Sequence, residues 1–97
     1  DFYFSTALSP HAANSENTTV KIFGERLKAE NFRLQVFNRW GTLVYENQSL
    51  IEMTTNGWDG RTLGGIALSS GTYPYKLTAV DKTGRKLEKN GVITILH

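Results

Sequence analysis

Residues able to carry acid–base, nucleophilic or metal chemistry are few in this chain, and they do not group. The two histidines, His11 and His97, sit near opposite ends without companions at ligand spacing. There are no cysteines, so a thiolate metal site and a disulfide framework are both excluded. Asp59 has no second carboxylate at a spacing that would pair it for proton transfer, and Glu46 and Glu52 stand alone in the same way. The glycines of "GRTLGG" (residues 60–65) lack the lysine and following helix of a phosphate loop. The serines of "SSG" (69–71) lack the strand–turn–helix context of a nucleophile elbow. Catalysis, a metal and a cofactor therefore have no candidate residues, and the sequence predicts a non-enzyme.

The residues that do stand out are aromatic. Both tryptophans lie beside turn-forming glycines: Trp40 in "NRWG" (Asn38, Arg39, Trp40, Gly41) and Trp58 in "GWDG" (Gly57, Trp58, Asp59, Gly60). Asn38 suits an Asx-type turn, and Gly41 can take the left-handed conformation that a tight reversal needs. Asp59-Gly60 is a second turn signal, with Gly57 freeing the approach to Trp58. Two uses fit such corners. An indole can close the open end of a sheet, burying ~150–200 Å² for a contribution on the order of 3–5 kcal/mol. Alternatively, Trp40, Trp58, Tyr73 and Tyr75 form an exposed stacking platform for a sugar ring or a partner protein. The spacing favours closure at both corners, with Arg39 or Arg61 lying over an indole face.

The elements that must hold these corners read as strands. "NFRLQVFN" (31–38) alternates Phe32, Leu34 and Val36 inward with Arg33 and Gln35 outward. "TYPYKLTAV" (72–80) places Tyr73, Tyr75, Leu77 and Ala79 on one face, and "GVITILH" (91–97) places Ile93 and Ile95 on one face. "TTVKIF" (18–23), "TLVYE" (42–46) and the opening "DFYFS" (1–5) are further strand candidates. "DKTGRK" (81–86) predicts a hairpin turn with Gly84 at positive φ. "SPHAANSENT" (9–18) is a polar loop, and "GERLKAEN" (24–31) is long enough for only a turn or two of helix. "NQSLIEMTTNG" (47–57) reads as an irregular crossing with an edge strand near Leu50–Met53. Pro74 cannot donate to a ladder, so its strand is expected at a sheet edge. Six or seven short strands without long helices predict an all-β fold, an immunoglobulin-like antiparallel β-sandwich of about seven strands.

At 97 residues the chain is one domain, 1–97, large enough for a single core without staples. The net charge is only +2, although Lys76–His97 carries five basic and two acidic residues. A bias that small predicts solvated surface and no nucleic-acid partner. No apolar run approaches the ~20 residues needed to cross a bilayer, so no direct membrane insertion is expected. The chain opens without a methionine or a signal peptide, as expected of a piece of a larger protein, and closes on a strand, as expected of a natural carboxyl end.

Taken in order, "FNRWGTLVYEN", "GWDGRTLGG" and "SSGTYPYKLTAVDKTGRKLEKNGVITIL" resemble the gliding-motility-associated C-terminal domain, the type B sorting domain of the Bacteroidetes type IX secretion system. The resemblance spans Val20–Leu96 and is strongest over Phe32–Glu46 and Gly57–Leu77. Two departures stand beside it: "SPHAANSENT" keeps Pro10 without the family's glycine–aspartate cluster, and Ser69-Ser70 replaces a proline before the glycine–threonine–tyrosine strand. The resemblance implies a sorting signal excised from a larger secreted protein, with passenger domains on its amino side. It implies recognition by an outer-membrane secretion machinery subunit, passage through the periplasm, and a secreted or cell-surface product. Its motif residues Asn38, Arg39, Trp40, Gly41, Gly57, Trp58, Asp59, Gly60, Gly71, Tyr73 and Tyr75 become the candidate recognition set. The rival function is a carbohydrate-binding or adhesive β-sandwich using the aromatic platform. A structural spacer between surface domains is a further alternative.

Overall fold

The alternation of apolar and polar residues builds the sheet. A computed structural model describes residues 3–4, 7–8, 20, 22–23 and 27–96. The Ser9–Thr18 loop, both histidines and residues 24–26 of the expected short helix lie outside the described residues. Seven strands are present among those described: β1 (Tyr3–Phe4), β2 (Ala7–Leu8), β3 (Ile22–Phe23), β4 (Arg33–Phe37), β5 (Leu43–Asn47), β6 (Gly71–Val80) and β7 (Lys86–Ile95). Five form one sheet in the order β2-β7-β6-β4-β5, and β1 pairs with β3 in a second, two-stranded sheet. Pairing is antiparallel throughout except that β2 runs parallel to β7, a departure from the expected all-antiparallel arrangement. A parallel neighbour requires a long connection, and these two strands come from opposite ends of the chain.

The β6–β7 hairpin is the spine, with ten consecutive pairs from Gly71↔Ile95 to Val80↔Lys86. Its turn is set by Asp81, whose Oδ1 accepts from the N–H of Thr83 and of Arg85, each at 2.9 Å, while Gly84 takes φ 90° as expected. Period-2 patterning then fills one face: Leu34, Val36, Tyr73, Tyr75, Leu77, Ala79, Ile93 and Ile95 are all buried. Val20, Leu27, Phe32, Leu50, Met53 and Trp58 complete the core. No charged or polar residue is buried among those described, so hydrophobic burial supplies the cohesion.

Two expectations fail here. The crossing after β5 is not an edge strand but a helix, α1 (Leu50–Thr55), which buries Leu50 and Met53. "SLIE" holds the reason. Ser49 is the N-cap, its Oγ accepting from the Glu52 N–H at 3.1 Å, and the spacing of three satisfies an end donor that a strand would leave open. Asn56 and Gly57 close the helix, both donating to the Glu52 carbonyl, with Gly57 at φ 74°.

The strand carrying Pro74 is not an edge either, because β6 lies between β7 and β4. Its tolerance follows from counting. Asp81 donates to the Arg85 carbonyl at 2.9 Å, so odd-numbered residues of β6 turn their backbone groups to β7 and even-numbered ones turn theirs to β4. The ladder to β4 ends at Val36↔Tyr75, one residue short of the proline. Pro74 therefore sits where the ladder on its amide side has just stopped, and no ladder donor is lost.

Candidate recognition surface

The "NRWG" corner is a rigid turn holding an exposed indole. Asn38 organises it from both chain directions. Its N–H donates to the Thr42 carbonyl at 2.9 Å, its carbonyl accepts from Gly41 at 3.0 Å, and its Oδ1 accepts from the N–H of Trp40 and of Thr42, both at 3.0 Å. Gly41 takes φ 82°, as the sequence predicts. With the backbone closed on Asn38, Arg39 and Trp40 occupy the tip and project beyond the ends of β4 and β5. Trp40 is 76% exposed, which corrects the expectation that it closes the sheet. The Arg39 guanidinium carbon lies 5.0 Å from the centre of its ring, a cation–π contact worth ~0.5–1 kcal/mol in water.

The "GWDG" corner behaves as expected of a closure. Trp58 is 1% exposed and exchanges two backbone hydrogen bonds with Val20, at 2.7 and 2.8 Å. Its ring stacks on Tyr45 with centroids 5.1 Å apart, and its Nε1–H donates to the Arg61 carbonyl at 2.8 Å. Gly60 takes φ 83° at the turn that follows, and Arg61 pairs with Asp59 at 3.5 Å on the surface. Burial pushes the Tyr45 phenol up; Glu52 and Asp59 add to this and a hydrogen bond from Asn47 opposes it.

A groove of about 470 Å³ joins the first corner to the start of β6. Asn38, Arg39 and Trp40 form one wall, Ser69–Tyr73 the other, with Val44 and Leu68 also lining it. Tyr73 fixes the second wall: its O–H donates to the Ser69 carbonyl at 2.7 Å. Gly71 takes φ 155°, a conformation that side chains resist, and a Cβ there would meet nothing within 4 Å. The fold thus gathers Asn38, Arg39, Trp40, Gly71 and Tyr73 round one groove, with Gly41 in the adjoining turn. Gly57, Trp58, Asp59 and Gly60 belong to the other corner, tied in through the Leu68 N–H to Gly60 carbonyl bond at 2.9 Å. Tyr75 lies in the core, where burial pushes its phenol up.

Sequence reasoning missed the tip of the segment after Trp58. Thr62 donates to the Ile66 carbonyl at 2.8 Å and Gly65 to Thr62 at 2.9 Å, leaving Leu63 and Ile66 exposed at a tight reversal. The Gly64-Gly65 pair flanked by aliphatics was the available signal. With one indole and both tyrosines buried, the four-residue stacking platform does not form. Among the described residues no cluster of three or more His, Asp or Glu could hold a metal ion, and no helix is long and apolar enough to cross a membrane.

An all-β domain of this shape, with a buried tryptophan at one corner and a presented one at the other, matches known proteins in two ways. Residues 2–95 match the family described as the CHU_C type IX secretion signal domain, and the chain belongs to that family. Its function is that of a C-terminal sorting signal for type IX export, in a family of secretion signals and not of enzymes. Among solved structures it is similar to CopC from Methylosinus trichosporium OB3b, with a TM-score of 0.57 and 20% identity over 98% of this chain and 88% of that one. Likeness at that identity concerns the fold alone. No curated protein matches the chain.

Proposed function

We propose that the domain is read as a folded unit by a subunit of the outer-membrane secretion machinery, through the Asn38–Gly41 corner and the groove beside it. It acts from the carboxyl end of a larger protein whose passenger lies on its amino side and is delivered through the periplasm to the surface or the medium. One observation carries the reading: Trp40 is 76% exposed on a turn whose backbone is held by four hydrogen bonds to Asn38. An aromatic held rigidly in water offers contact area with little ordering left to lose, as interface anchors do. The fold we read as an immunoglobulin-like sandwich. In that reading the five-stranded sheet is one layer and the β1–β3 sheet belongs to the other, supported by Val20, Leu50, Met53 and Trp58, which share one core with the buried face of the large sheet.

The test is a reporter carrying Asp1–His97 at its carboxyl end. Trp40→Ala is expected to leave thermal stability close to wild type and to lower export at least tenfold, a factor that corresponds to about 1.4 kcal/mol and exceeds what most interface residues contribute. Unchanged export with a folded domain would move recognition off this corner.

A further inference from the structure

One charge lines the groove, and it is positive. Of the ten residues round it, Arg39 is the only cation and none is acidic. Among the described residues the Arg39 guanidinium makes no ion pair, and it lies over the face of Trp40. The cations in ion pairs among the described residues, Arg33, Arg61 and Lys76, each meet a carboxylate of their own sheet or turn. The groove also exposes backbone. By the alternation set at Asp81, Thr72 turns its N–H and carbonyl to the β4 side, beyond the last β4 pair at Val36↔Tyr75. Gly71 beside it leaves room for another chain to approach closely.

We propose that the groove seats an extended acidic segment of the protein that reads the domain. Its carboxylate sits on the Arg39 guanidinium, its apolar neighbour against Trp40, and its backbone along Thr72. A guanidinium stacked on an indole keeps its hydrogen-bond fork free on the outer edge, which suits a carboxylate. Strand-like docking at an open backbone position favours a peptide over a saccharide. The inference rests on the recognition surface proposed above and adds the charge of its occupant.

Charge at position 39 tests it in the same export reporter, with melting temperature followed for each variant. Arg39→Gln is expected to lower export about tenfold, the loss of one charge-assisted contact of ~1.5 kcal/mol. Arg39→Glu is expected to lower it further by a similar factor through repulsion. Glu exporting as well as Gln, or both exporting like wild type, would overturn the acidic occupant. If Trp40→Ala still blocked export in that case, the recognition surface would stand and only its charge preference would fall. A second arm titrates the isotope-labelled chain with hexaglutamate, inorganic phosphate or lipopolysaccharide micelles while following the two indole N–H signals. The inference expects hexaglutamate to move Trp40 and not Trp58, with binding weakened by salt. No movement with hexaglutamate, or equal or stronger movement with phosphate or lipopolysaccharide, would contradict a protein carboxylate as the occupant.

Discussion

Two tryptophans in similar sequence settings meet opposite fates, and the difference lies in what each neighbouring residue bonds. Trp58 is drawn inward because its backbone pairs with Val20 and its Nε1–H finds the Arg61 carbonyl. Trp40 is held outward because Asn38 gathers the backbone of its turn beneath it. Trp58→Ala should therefore destabilise by about 3–5 kcal/mol, as large aromatic truncations in cores do. Trp40→Ala should stay within about 0.5 kcal/mol, as surface changes do, and denaturant unfolding distinguishes the two. Gly91 provides a second check. It pairs with Tyr75 across β6–β7, and a Cβ added there would come within 2.9 Å of the tyrosine ring. Because that ring is buried and cannot swing away, Gly91→Ala should cost about 1–3 kcal/mol as overpacking does. Much of that should vanish on a Tyr75→Leu background. The Asn38–Gly41 turn was legible in the sequence, but not that nothing would fold over its indole; the Gly91–Tyr75 contact was not legible either, since it depends on register across strands and not on local residue type.

Among the elements, the period-2 strands and the hairpin turn were read correctly from local spacing. The alternation in residues 31–38, 72–80 and 91–97 put the right residues inside, and the Asp81–Gly84 turn formed where its chemistry placed it. The helix α1 carried a signal too, serine and glutamate three apart, which the edge-strand reading of Leu50–Met53 passed over. Ser49→Ala is expected to cost about 1 kcal/mol by removing the cap, measurable as a fall in thermal midpoint. Pro74 was misread because its position relative to the end of β4 belongs to the sheet and not to the strand. Titration at this scale has a definite sign. Hydrogen bonds from Thr83 and Arg85 hold the Asp81 carboxyl below its ordinary value of 3.8. That contribution is full above the unfolded value and is lost as pH falls through the folded one. Tyr45 and Tyr75 are held above their ordinary value of 10.0, chiefly by burial, so the native state keeps protons the unfolded chain releases. Through these groups stability should fall below pH ~4 with Asp81 and above pH ~10 with the tyrosines. Asp81→Asn should blunt the acid limb alone.

For the whole molecule, the all-β class and the sorting family were both legible, the first from periodicity and the second from three motif-bearing segments in order. What the motifs do was less so. They divide between two places: Gly57–Gly60 closes the core, while Asn38–Gly41 with Gly71 and Tyr73 shapes an open groove. On the reading proposed above, the domain is read as a folded object, with closure and presentation carried by separate corners. The central claim is that this folded domain alone directs type IX export. The most direct measurement appends Asp1–His97 to a periplasm-directed fluorescent reporter and follows it in two strains, one competent for type IX secretion and one lacking the machinery. The account predicts reporter at the surface or in the medium of the competent strain only. Reporter retained in the periplasm of both strains, with the domain folded, would contradict it.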